Sequence, residues 1–345
     1  MADASHACPD CGSHFTSIDR RTFLKSAAAA TVAAGSTPLW ALADDQPTSH
    51  PESIVKLLYD SFSPGQREKV CFDWDYQHPK LGLLRTRVAN NWNITDPTIN
   101  GDFFTGDQVA MIRSIFEGMT QPEWHAKFDK QMEDDCGGFG QDQSIAIFGK
   151  PESGKFEFVL TGRHLTMRCD GNSAEHVAFG GPIFYGHAAD GFDEDPDHPG
   201  NVFWHQALEA NKVYEMLDGA QRKLALVKQL PREQAVGFRG NSGGFPGIPL
   251  AECSADQREQ VQKVLKSLVE PYRQSDRDEV AACLNSQGGL DKCSLAFYSD
   301  RDLGNDKVWD CWRLEGPSFV WYFRGSPHVH VWVNVADSPA MKLNA

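Results

Sequence analysis

Residues 143–187 read QSIAIFGKPESGKFEFVLTGRHLTMRCDGNSAEHVAFGGPIFYGH, the longest run with strand periodicity in the chain and one that carries three histidines. Residues 144–148 form a short apolar run, 150–154 (KPESG) supply turn chemistry, and 155–161 and 163–169 alternate as strands about a tight connection at Thr161-Gly162. The pattern predicts a β-meander. A hairpin centred on Thr161-Gly162 pairs Val159 with His164, Phe158 with Leu165 and Glu157 with Thr166. One face then carries Phe156, Phe158, Leu160, Leu165 and Met167 as core, and the other Glu157, Val159, His164, Thr166 and Arg168. His164 on a polar face beside a carboxylate suits a metal ligand whose far nitrogen is hydrogen-bonded, and suits a solvated sheet surface equally well.

The C-terminal segment repeats this logic. Residues 308–314, 319–323 and 328–334 read as strands joined by Glu315-Gly316-Pro317-Ser318 and Gly325-Ser326-Pro327. In the last of them Val329, Val331 and Val333 point one way, and His328, His330, Trp332 and Asn334 the other. Two imidazoles at i and i+2 on a strand have Cα atoms about 6.5 to 7 Å apart, close enough to converge on one Zn or Cu ion. The bland alternative is a pair of solvated or stacked histidines.

Helical spacing marks residues 53–62, 105–119 (stripe Val109, Ile112, Ile115, Phe116, Met119), 122–132, 201–217, 218–230 and 254–272, the last opened by Ser254 as N-cap. Residues 66–74 and 83–92 read as further strands. The whole predicts an α+β fold: antiparallel β-meanders packed with several amphipathic helices in a single large domain over residues 63–340, after a leader and first helix over 44–62. Glu133-Asp134-Asp135 crowds three carboxylates at a helix C-terminus, where the dipole disfavours them, so a solvated, frayed end is expected. The acidic stretch 193–198 lacks the spacing of an EF-hand.

With 345 residues and 41% hydrophobic content, the chain can bury a large core. Its net charge of −14 argues against a nucleic-acid or anionic-membrane surface, both of which need clustered Lys and Arg. Residues 1–43 have the layout of a twin-arginine signal peptide: Arg20 and Arg21, a modest apolar run over 26–40, and the Ala41-Leu42-Ala43 cleavage site. The apolar run falls short of the roughly 20 residues of a membrane span. Export to the periplasm or outside the cell follows, with the twin-arginine translocase as a partner and no transmembrane helix in the mature chain. That route carries folded proteins and so favours a bound metal or cofactor. His6, Cys8, Cys11 and His14 form a compact CxxC with flanking histidines, ahead of the segment to be removed.

Two other motifs bear on chemistry. Gly240-Asn-Ser242-Gly-Gly244 matches G-x-S-x-G, but Phe245-Pro246-Gly247-Ile248-Pro249 follows, which can start no helix and so builds no nucleophile elbow. A serine hydrolase acting through Ser242 therefore ranks last. Seven cysteines remain after the signal, an odd number, and Cys283 and Cys293 bracket a polar Gly-containing loop, which makes them the first choice for a disulfide.

The FG-x-P turn (Phe148-Gly149-Lys150-Pro151), Gly162-Arg163-His164-Leu165-Thr166, the GP-x-F element at 181–184, and the Gly316-Pro317 turn leading to His328-Val329-His330 and Trp332 resemble an uncharacterised family, domain of unknown function 3500, over roughly residues 66–334. The resemblance implies one domain and draws attention to His164, His328 and His330; it supplies no reaction. The residues themselves point to an exported metal-binding protein, a Cu- or Zn-dependent redox enzyme among the options, with Glu157 or His187 as a weaker fourth group. The competing reading is a non-catalytic exported protein that binds a small molecule or glycan.

Overall fold

A computed structural model describes residues 50–188, 202–303, 308–341 and 343–344. The signal-peptide residues Arg20, Arg21, Ala41 and Ala43, the His6–Cys8–Cys11–His14 cluster and the acidic stretch 193–198 lie outside the described residues. In chain order the elements are α1 (Pro51–Ser61), α2 (Pro64–Val70), β1 (Cys71–Phe72), β2 (Gln77–His78), β3 (Gly82–Leu83), α3 (Gly106–Met119), α4 (Pro122–Cys136), β4 (Ser144–Lys150), β5 (Lys155–Gly162), β6 (Leu165–Cys169) and β7 (Ile183–His187). The second half holds α5 (Trp204–Met216), α6 (Gly219–Ala225), β8 (Leu226–Val227), β9 (Ile248–Pro249), α7 (Ala255–Val269), α8 (Gln274–Ser286), β10 (Ser294–Tyr298), β11 (Cys311–Gly316), β12 (Phe319–Arg324) and β13 (Val329–Val335).

The fold is α+β. One 11-stranded sheet runs β1-β4-β5-β6-β7-β13-β12-β11-β10-β8, with β9 paired to β10. Its centre is antiparallel; only the short β1 and β8 pair in parallel, with β4 and β10. The two halves of the chain meet at the β7–β13 ladder, where His330 faces Gly186 and Val331 faces Tyr185. This junction positions the histidines. It brings the N-terminal and C-terminal histidine segments to within one intervening strand.

One face of the sheet packs against the helices. Phe158, Leu160, Leu165, Met167, Val329, Val331 and Val333 join Ile112, Ile115 and Phe116 of α3, Trp124 and Phe128 of α4, and Val261 and Val264 of α7 in one apolar core. Capping boxes start the helices where hydroxyl residues precede them: Thr105 with Gln108 for α3, and Ser254 with Gln257 for α7.

The other face is covered by two long connections. Leu84 and Ile94 from the connection after β3 cover Ala146, Phe148 and Val159, while Val236 from the connection after β8 packs with Phe184, Val320, Tyr322 and Trp332. Backbone and side chain pin both down. Ile94 N donates to Thr161 Oγ1 at 2.9 Å, Arg313 Nη1 donates to Ala235 O at 2.7 Å, and Asn334 Nδ2 donates to Val236 O at 2.9 Å. The face read from sequence as polar is therefore buried, with Glu157 fully inaccessible. Its charges are matched: Glu157 takes Arg168 Nη1 at 2.9 Å and pairs also with Arg85.

Four expectations are corrected. The β5–β6 turn is centred on Arg163-His164, with Gly162 opposite Leu165 and Val159 opposite Arg168 instead of His164. The shift moves each partner by an even number of residues, so the division into core and opposite faces survives although every predicted pair is wrong. Residues 66–70 are helical rather than extended, because Ser63 caps a helix with Gln66 and Pro64 sits at its first position. Residues 84–92 form covering loop. Finally, Cys283 and Cys293 are free thiols, the first against His176 O and the second against Gly289 O.

Beside the N-terminus of α8 lies a group of carboxylates. Burial pushes Glu279 up to about 7, with the charges of Asp170 and Asp276 adding and the Phe179 N–H and Arg273 opposing. Burial likewise raises Asp276 to about 6, against the pull of Arg273. Both carboxyls hold protons in the fold at a pH where the unfolded chain has released them, so stability is greatest below pH ~4 for these groups and falls as pH rises toward 7. Glu279→Gln keeps an acceptor for Phe179 N and removes the charge; thermal melts from pH 4 to 8 should show a shallower decline than wild type, by on the order of 2 kcal/mol at pH 8. Parallel profiles for the two proteins would contradict this assignment.

Candidate metal centre

His164 stands in the two-residue turn between β5 and β6, not in a strand. Its φ is +54°, a left-handed conformation that costs a non-glycine residue about 1–2 kcal/mol. The turn is held from outside: His164 N donates to Asn90 O at 3.1 Å, and Arg163 forms a bridge with Asn91. Strain retained in this way at a buried polar residue is a mark of a functional position.

His328 and His330 come from the start of β13, on the face away from the helices. Between β13 and the His164 turn runs β7, and at the crossing it offers Gly186, opposite His330. A Cβ there would stand 2.3 Å from Val329 O and 3.4 Å from Cδ2 of His164. Glycine is what lets side chains from strands two apart meet. The three Nε2 atoms lie 3.0 Å (His164–His330), 3.2 Å (His164–His328) and 2.9 Å (His328–His330) from one another. His164 and His330 are fully buried and His328 is 6% exposed.

Carboxylates fix two of the rings from behind. His164 Nδ1 donates to Asp135 Oδ2 at 2.9 Å, and His330 Nδ1 donates to Glu233 Oε1. Asp135 is itself set by Gln131 Nε2 at 2.8 Å and by Ala188 N, which donates to Oδ1 at 2.9 Å. Burial alone would raise the Asp135 carboxyl, but His164 first, then His187 and Gln131, hold it down to about 2. Glu233 accepts from Trp332 Nε1 at 3.3 Å and pairs with Arg324 Nη1 at 3.3 Å.

These partners settle the tautomers. With Nδ1–H committed to carboxylate, Nε2 of His164 and of His330 each present a lone pair to the centre of the triangle. Two such lone pairs at 3.0 Å repel each other unless a cation or a donated hydrogen lies between them, and His328 Nε2 stands 3.2 and 2.9 Å from the same two atoms. A proton is a poor substitute: burial, then Arg324 and the other two histidines, drive the pKa of His330 far below its ordinary value. The triad can hold a metal ion. A Zn or Cu ion would be held by His164, His328 and His330 through one nitrogen each, and such a three-nitrogen set would leave room for a further ligand.

The remaining residues singled out in the sequence lie elsewhere. Glu157 belongs to the Arg85–Arg168 ion pairs. His187 pairs with Val329, one residue out of step with His330, so it points to the opposite face, where its Nε2 meets Asp134 Oδ2 at 3.1 Å. Ser242 is exposed, in a turn closed by Gly243 N and Gly240 O. Asp135, expected at a solvated helix end, is instead 6% exposed and bonded to the site. Gly186 and Glu233 went unrecognised. A glycine two residues after an aromatic strand position and a carboxylate in an unpatterned loop carry no local signal, since both act through partners far away in the chain.

Residues 44–335 match the family described as Protein of unknown function (DUF3500). The chain belongs to this family. The match spans β1 through β13 and hence the whole triad with both carboxylates. Neither the curated proteins nor the solved structures include a match to this DUF3500 chain.

Asp135→Asn keeps the shape of the side chain but ends the charged bond to His164. Metal affinity measured by competition with a chromophoric chelator should fall about 10–100-fold, the usual loss when such a partner is removed. An affinity equal to wild type would show that Asp135 does not tune the site.

Proposed function

We propose that this DUF3500 protein is an exported metalloprotein in which His164, His328 and His330 hold one Zn or Cu ion through Nε2. The observation that carries the reading is the convergence of three buried imidazole nitrogens, with the lone pairs of His164 and His330 aimed inward by Asp135 and Glu233. Three nitrogen ligands favour these two metals over Mg or Ca, which take oxygen. Three protein ligands with one open position are the arrangement of catalytic rather than structural zinc sites, so the reading extends to an enzyme, a redox enzyme if the ion is Cu. Export rests on the paired Arg20 and Arg21 and the Ala41–Ala43 cleavage motif.

A second reading has one observation in its favour. Phe72, Tyr76 and Phe103 line a cavity of about 380 Å³ together with Lys69, His78 and Asp96, away from the triad. Aromatic faces beside polar groups suit a small molecule or a sugar ring, in keeping with a binding protein.

Elemental analysis of protein from the exported fraction distinguishes the two. Stoichiometric Zn or Cu is expected, lost in the His328→Ala, His330→Ala variant; metal-free protein of full stability would favour the binding reading. Export has its own check. Replacing Arg20 and Arg21 by Lys should leave uncleaved precursor in the cytoplasm, and normal processing of that variant would remove the twin-arginine assignment.

A further inference from the structure

We infer that the cavity beside β1 is a binding site in its own right and takes one uncharged sugar ring. The inference rests on the binding reading of that cavity above, names its class of ligand, and does not depend on an ion at the triad.

The walls are set by the fold itself. β1 is an end strand of the sheet, and its Phe72 lies between Phe148 of β4, with ring centroids at 5.5 Å, and Tyr76, at 4.9 Å. Phe148 is fully buried and Tyr76 half-buried, so the three rings form a stack rooted in the sheet whose outermost member lines the cavity. Backbone bonds hold that member: Tyr76 N donates to Asp73 O at 3.1 Å, and Tyr76 O accepts from Leu84 N at 3.2 Å. Phe103 also lines the space; it sits edge-on to Phe104 with ring centroids at 4.9 Å, and its carbonyl accepts from Gln66 Nε2 at 2.8 Å. Aromatic surface fixed in this way costs a ligand little ordering on binding. At 380 Å³ the space is near the low end of small-molecule sites, roughly 300–1,000 Å³, which suits one ring rather than a chain of them.

Polar groups on the same lining set the rest of the ligand. His78 Nδ1 accepts from Lys80 N and Leu81 N, both at 3.2 Å, so the neutral ring carries its hydrogen on Nε2 and has that donor to offer. Lys69 supplies an ammonium and Asp96 a carboxylate; both residues are exposed, and neither side chain has an ion pair or hydrogen bond among the described residues. An anion would meet Asp96, a cation would meet Lys69, and a wholly apolar ring would strip water from both without replacing it. Hydroxyls answer all three groups, since each can donate to a carboxylate and accept from an ammonium or an imidazole N–H. A pyranose joins the two demands in one body. Its faces present C–H groups to Tyr76 and Phe103, and its edge presents hydroxyls to Lys69, His78 and Asp96.

The test is calorimetric titration of the protein from the exported fraction with glucose, galactose, mannose and N-acetylglucosamine, with the methyl glycosides of each, and with phenylalanine and benzoate as charged rings. Saturable binding of at least one sugar is expected. Tyr76→Ala, which removes the stacking face, and Asp96→Asn, which keeps the shape and loses the charged acceptor, should each weaken it by about tenfold. Asp96 is exposed, so its variant probes the site without disturbing the aromatic stack. Both sources of such a ring support the inference: rejection of the methyl glycosides marks a free sugar, and equal binding marks the end of a glycan. Sugar binding unchanged in both variants would overturn the cavity as its place. Binding of phenylalanine or benzoate and of no sugar would overturn the sugar class and leave the binding reading of the cavity standing, whereas absence of binding by all these compounds would refute both.

Discussion

The centre depends on a gap in a strand. His164 and the His328–His330 pair belong to segments flanking β7, and strands spaced about 4.8 Å apart put their backbones nearly 10 Å from each other. Imidazoles can close that distance only over a position with no side chain. Gly186 is that position, and its Cβ vector runs into Val329 O and toward His164. The β7–β13 ladder thereby does two things at once. It joins the two halves of the chain into a single sheet and it brings the three imidazoles to one point.

Everything around the triad is organised to hold polar groups where water does not reach. The sheet is covered by helices on one face and by the two long connections on the other, which excludes the solvent that would otherwise separate the histidines. Such burial is tolerable only with complete partners. Asp135 and Glu233 supply them for two of the rings, and they come from unlike places: the last turn of α4, where a carboxylate is disfavoured by the helix dipole, and an irregular loop held by Ala235 and Val236. His164 adds a left-handed backbone angle that glycine or asparagine would adopt at less cost. A poor helix end, a strained turn and a loop that closes on a carboxylate are separate local disadvantages that share one beneficiary, the arrangement of Nε2 atoms.

Much of the fold was legible because period-2 patterning records faces directly. Val329, Val331 and Val333 against His328, His330 and Trp332 could be assigned from the alternation alone, and so could the division of Phe158, Leu160 and Leu165 from Glu157 and Arg168. Pairing was not legible. An alternating pattern is unchanged by a shift of two or four residues, so it tolerated a turn placed two residues early, and His164 passed from strand to turn without disturbing the faces. Residues 66–70 misled for another reason: the capping box of Ser63 and Gln66 outweighed the strand-like apolar content. The three converging histidines were legible from their spacing. Their carboxylate partners were not, since Asp135 is 29 and Glu233 is 97 residues from the imidazole it meets, and only the tertiary fold joins them.

The central claim is that one ion sits among these three nitrogens. X-ray absorption at the metal edge of protein purified from its exported fraction measures that environment directly. Three imidazole nitrogens at about 2.0–2.1 Å, with one further light ligand, is the result the geometry predicts. An edge spectrum with sulfur ligands, or with fewer than three imidazoles around the ion, would contradict it.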